Sequence, residues 1–111
     1  MKIIFTIKER VDTLKLFDAF KGSITELSTI LDDVKKVAIT QEEWEAAKRV
    51  ITKTDQGEQW QWNEADEATW KEVELGAESV AYLLKSIKDK SDKGEISIAD
   101  ATLLSIQKKL A

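Results

Sequence analysis

Cysteine and histidine are both missing from the 111-residue chain. Without thiols there is no disulfide framework, no thiol nucleophile and no thiolate metal site. Without imidazole the commonest general base and the commonest transition-metal ligand are gone, which excludes a Ser-His-Asp triad and a zinc hydrolase. No glycine-rich phosphate loop or clustered metal motif occurs either. Acidic pairs such as Glu72 with Glu74 or Asp32 with Asp33 are present, but a chain with 21 acids produces such pairs by chance. The expectation is a protein that is not an enzyme and needs no cofactor. Proline is also absent, and no segment is low-complexity or repeated. The opening "MKIIFTIKER" has too short an apolar run for a signal peptide or a membrane span, so a cytoplasmic protein is expected.

What is present is ordinary for a folded domain: 42% hydrophobic and 34% charged residues, enough chain for one domain over 1–111 with a real core. Net charge is −4 but unevenly spread. Asp55 to Glu78 holds eight acids against Lys71, net −7, while the remainder is net +3. That argues against direct nucleic-acid binding, which needs cations to displace counterions from phosphates, and suits a protein partner with a basic surface.

Periodicity gives the elements. In "KIIFTIK" Ile3, Phe5 and Ile7 alternate to one side of an opening strand and Ile4 to the other. Val11, Leu14, Leu16, Phe17 and Phe20 mark a first helix. Ser23 with Glu26 forms a capping box for a second, carrying Ile24, Leu27, Ile30, Leu31 and Val34. Thr40 with Glu43 starts a third, with Trp44, Ala47, Val50 and Ile51, although "RVITKT" turning at "DQG" also reads as a strand. The period then changes. "EQWQWN" sets Trp60 and Trp62 on one side of a strand, and "TWKEVEL" sets Val73 and Leu75 opposite Trp70, Glu72 and Glu74. The polar "EADEA" between them suggests that these two segments form an antiparallel hairpin. Gly76 ends the strands, and a long helix follows with Val80, Leu83, Leu84 and Ile87 inward. Gly94 suits its left-handed stop, and Ser97 with Asp100 caps a last helix bearing Ile98, Leu103, Leu104 and Leu110. The sum is an α+β domain: a small antiparallel sheet, made of the N-terminal strand and a central hairpin, packed against about five helices.

The stretches "FTIKERVDTLKLF", "WQWNEADEATWKEVELGAES" and "VAYLLKSIKDKSDKGEIS" resemble a group of small uncharacterised proteins of tailed phages and prophages. The resemblance covers most of the chain, with a departure after the first helix, where a proline common in that group is replaced by "FKGS". It implies a viral setting and accessory roles, such as inhibition of a host enzyme or defence system, replication or assembly, with no catalytic or binding residues attached.

Residues 89 to 100, "DKSDKGEISIAD", raise the question of a calcium loop. Asp89, Ser91, Gly94, Ile96 and Asp100 fall at EF-hand positions 1, 3, 6, 8 and 12, and the second half is similar to a dockerin-type repeat. Lys93 at position 5 withholds an oxygen and repels the ion, and Asp100 is shorter than the bidentate glutamate that position 12 wants. A helix connection, with Gly94 ending one helix, Ser97 capping the next and Ile96 packed between, is favoured over metal binding.

Three of the four tryptophans lie between residues 60 and 70. With Trp60 and Trp62 covering the helices, Trp70 faces out among carboxylates, as an aromatic anchor of an interface would. The expected partner-binding surface is Trp70, Glu72, Glu74, Glu64, Asp66 and Glu67. A competing reading is an oligomeric nucleotide or small-ligand binder using Lys85, Lys88, Lys90 and Lys93, and a further one is a structural or assembly protein.

Overall fold

The computed structural model describes residues 1–65 and 67–111. The order is β1 (Lys2–Phe5), α1 (Ile7–Asp18), α2 (Ile24–Val37), α3 (Gln41–Ala46), β2 (Val50–Thr54), β3 (Gly57–Gln61), β4 (Lys71–Glu74), α4 (Ala77–Asp92) and α5 (Thr102–Leu110), with short 3-10 turns at Glu67–Thr69 and Ile98–Asp100. The fold is α+β, with two separate two-stranded antiparallel sheets rather than one: β1 with β4, and β2 with β3.

The hairpin expected between the two tryptophan-bearing segments is therefore not formed. β4 pairs with β1 in the register Ile3 to Val73, and β3 pairs with β2 in the register Ile51 to Trp60. The reason is burial: Ile3, Phe5, Val73 and Leu75 together close one face of the main core, at 0 to 4% exposure, whereas every residue of β2 and β3 is exposed.

β1 stops at Phe5 because Thr6 and Glu9 form a capping box that starts α1, so Ile7 is buried as the first helical residue rather than as a strand residue. The boxes expected at Ser23/Glu26 and Thr40/Glu43 are formed. α3 is cut short at Ala46; Lys48 adopts a positive φ of 57°, and Val50 and Ile51 enter β2. Of the stripe expected on α2, Ile30 is buried and Val34 half-buried, while Ile24, Leu27 and Leu31 are exposed. The last helix buries Leu103, Ile106 and Leu110, leaving Leu104 exposed and Ile98 95% exposed in the preceding turn.

The main core unites β1, β4, α1, α2, α4 and α5 through Phe5, Leu16, Phe17, Leu75, Leu83 and Ile106, among others. A smaller cluster of Ile7, Trp44 and Ala47, with Trp62 against it, joins α3 to the start of α1. α1 also buries polar side chains: Glu9, Arg10, Asp12 and Thr13. Each of the three charged ones is partnered, since a buried charge without a counterpart is too costly to keep.

Residues 89–100 form a helix end and a helix start. α4 runs through Asp92, so Asp89 and Ser91 are helical; Gly94 takes the left-handed φ of 68°, and Asp100 is held in the box with Ser97. Only the short segment between them is open chain, and Ile96 on it is 38% exposed rather than packed.

Candidate functional site

The outer face of the β1–β4 ribbon follows from its pairing. The Met1 ammonium donates to Leu75 O at 3.0 Å, and Leu75 N–H donates to Met1 O at 2.8 Å. In an antiparallel pair such mutually bonded positions alternate with positions whose backbone groups point away from the partner strand. Lys2, Ile4, Glu72 and Glu74 are the latter, opposed as Lys2 to Glu74 and Ile4 to Glu72. Their side chains share the solvent face, with Ile4 53% exposed.

Two of their outward carbonyls, one on each strand, are closed off by lysines from the helices. Lys109 Nζ donates to Ile4 O at 2.9 Å, and Lys36 Nζ to Glu74 O at 3.3 Å. Lys109 also pairs with buried Glu9 at 2.5 Å. Burial pushes the Glu9 carboxyl up, but the Lys109, Thr6 and Ser105 hydrogen bonds outweigh it and hold Glu9 below its ordinary value. With Lys109 so committed, Lys2 shares with Glu67 and Glu72 the lining of a shallow hollow of about 750 Å³ beside Trp70.

Trp70 is half-buried at the wall of this hollow, its ring tethered by Nε1 donating to Glu64 O at 3.2 Å. It is a fixed, partly open aromatic rather than a fully exposed one. Glu64 departs from expectation more sharply. Its carboxylate accepts from Lys8 N–H through both oxygens at 3.1 Å and from Trp62 Nε1 at 2.5 Å. It caps the positive N-terminus of α1 from 56 residues away and points into the fold, not towards a partner. Asp66 lies outside the described residues. Of the expected surface, Trp70, Glu67 and Glu72 converge on the hollow, Glu74 continues it along β4, and Glu64 belongs to the scaffold. Lys2 and Ile4 complete the face; the alternation of the first strand was the signal that could have found them.

Trp60 of β3 and Trp62 just after it project onto Trp44, with ring centroids 5.5 and 5.2 Å away, edge-on. The Arg49 guanidinium stacks over both Trp44 and Trp60, at 5.0 and 4.7 Å. This knot fastens the base of the β2–β3 arm, while Trp60 keeps 45% of its surface.

A second concavity, of about 600 Å³, opens between α2 and α4. Phe20 and Tyr82 form its aromatic wall at 5.2 Å, and Tyr82 OH is anchored on Leu16 O at 2.5 Å. A Cβ on Gly22 would come within 2.7 Å of Phe20 Cζ, so the chain turns closely over that ring. Lys21 and Lys85 share the rim with Glu26, Glu78 and Asp89. The lysine cluster expected along α4 is divided: Lys85 borders this cleft, Lys88 pairs with Asp92 at 3.5 Å, and Lys90 lies at a different hollow with Lys8 and Lys15.

Among the described residues no helix is long and apolar enough to cross a membrane, and no group of acidic residues converges as a metal site would require. Comparison with protein-family models, with curated proteins and with solved structures gives no match.

Proposed function

We propose that the protein is a non-catalytic accessory protein that acts by docking the outer face of its β1–β4 ribbon onto a basic surface of another protein. The observation that carries this reading is the convergence of Trp70, Glu67 and Glu72 on one hollow flanked by exposed Ile4, where Lys109 is already paired with Glu9 and Lys2 stands opposite Glu74. An aromatic held by a hydrogen bond loses little freedom on binding, and carboxylates around it select a lysine- or arginine-bearing partner. The absence of imidazole and thiol groups supports docking over bond chemistry. The resemblance to small tailed-phage proteins supports a phage setting, in which a host enzyme or antiviral defence protein would be the partner.

Capture from host lysate with wild-type protein and with the Glu67→Lys/Glu72→Lys variant tests this. Loss of the captured partner with an unchanged circular dichroism spectrum is expected; capture that survives the double charge reversal overturns the reading.

The cleft between α2 and α4 favours a second reading, a small-ligand binder. A cavity of about 600 Å³ with an aromatic wall has the size of a ligand pocket. Its rim carries three carboxylates and two lysines, which disfavours a nucleotide and favours a ligand with a cationic group. A thermal shift with aromatic amines but none with nucleotides would support it.

A further inference from the structure

The cleft between α2 and α4 sets unpaired charges of both signs beside a rigid aromatic wall. Tyr82 stacks on Phe17 at 6.0 Å, leans on Phe20 at 5.2 Å and donates its hydroxyl to Leu16 O at 2.5 Å. A ring held this way gives up little freedom when another ring packs against it. Tyr82, Lys85, Ser86 and Asp89 line the cleft from α4 at i, i+3, i+4 and i+7, one face of the helix. Lys85 and Asp89 stand one turn apart, yet among the described residues neither side chain has a hydrogen bond or an ion pair. Lys88 and Asp92, with the same spacing and order on the same helix, do pair, at 3.5 Å. The cleft therefore presents one ammonium and one carboxylate, both open, next to the Tyr82 and Phe20 rings.

We infer that this cleft binds an aromatic α-amino acid as its zwitterion, with the ligand's carboxylate on Lys85, its ammonium on Asp89 and its ring against Tyr82 and Phe20. The inference rests on the small-ligand reading of the cleft and names the ligand class. Spacing supports it: one helical turn, about 5.4 Å, separates Tyr82 from Ser86, which lies between the two charges, and an aromatic amino acid carries its charged groups about that far from its ring. Volume supports it as well, since about 600 Å³ lies within the range of small-molecule sites. Charge then discriminates. A nucleotide brings several negative charges towards Asp89, Glu26 and Glu78, which repel them. A plain amine leaves Lys85 unanswered, and a plain carboxylate leaves Asp89 so.

Titration calorimetry with L-phenylalanine, phenethylamine and phenylpropionate tests this. L-Phenylalanine should bind, and the two analogues, each lacking one charge, should bind at least about tenfold more weakly, the worth of one charge-assisted hydrogen bond. Lys85→Ala should abolish the preference over phenethylamine, and Asp89→Ala the preference over phenylpropionate. Both residues are exposed, so neither change should alter the melting temperature of the free protein. Equal binding of L-phenylalanine and phenethylamine overturns the inference and leaves the cleft to a plain cation. A preference that survives Lys85→Ala overturns the assignment to this cleft. No binding of any of the three overturns the inference together with the small-ligand reading, while the docking reading of the ribbon is untouched.

Discussion

The guanidinium of Arg10, with no exposed surface, is gripped by both carboxylate oxygens of Glu43 while it also donates to Val37 O at 3.0 Å and Ala38 O at 2.6 Å. One side chain of α1 therefore ties down the end of α2 and the beginning of α3. Removing one partner of a buried pair strands the other charge, which costs about 3–5 kcal/mol. Glu43→Gln should lose about 3 kcal/mol in urea unfolding, and Arg10→Met a comparable amount through its two orphaned carbonyls. The double variant should lose less than the sum, with a coupling of about 1–2 kcal/mol.

Acid should unfold the protein through the same contacts. The Arg10 hydrogen bond holds the Glu43 carboxyl well down, to about 2 from 4.5, against a smaller upward push from burial. In Asp33 and Glu9 burial pushes up, yet hydrogen bonds outweigh it and both are lowered. A carboxyl with a depressed folded value stabilises the fold above its unfolded pKa and loses that contribution as pH falls through the folded one. For Glu43 the window runs from about 4.5 down to about 2. The melting temperature should fall progressively across it, and Glu43→Gln should flatten that dependence.

α4 begins at a glycine that has no side chain to cap it, and Asp33 of α2 holds that start from outside the helix. Its Oδ2 accepts from Gly76 N–H at 3.0 Å and from Ser79 Oγ at 2.5 Å. Asp33→Ala should cost about 2 kcal/mol by leaving buried donors unpaired. Adding Gly76→Asp to that variant should restore about 1 kcal/mol, the worth of a local cap. Chemical denaturation of the single and double variants reads both values.

Glu64 and its acidic neighbours should separate cleanly. Glu64→Ala removes the clamp on Lys8 N–H and Trp62 Nε1 and should destabilise by about 1–2 kcal/mol. Exposed Glu67→Lys and Glu72→Lys should stay within about 0.5 kcal/mol of wild type. Thermal melts of the three variants decide it.

Local signals were readable and held where the structure is local. The boxes at Ser23/Glu26, Thr40/Glu43 and Ser97/Asp100 all form, since each needs only residues three apart. Thr6/Glu9 carries the same signal and was hidden under the alternation of Ile3, Phe5 and Ile7, which continues smoothly across the strand–helix junction. The inward side of β4, Val73 and Leu75, was also readable, because a strand's two faces follow from parity alone.

What sequence by itself determined is thus the α+β character, the caps, the inward faces of β1 and β4 and the acidic bias of residues 55–78. Tertiary structure alone decided which strands pair and which charges are solvated. Lys2 meets Glu74, Glu64 meets Lys8 and Glu9 meets Lys109 only after the chain has closed loops of 56 to 100 residues. Periodicity carries no information about such partners, because strand pairing and the pairing of buried charge are settled by which surfaces the whole core brings together.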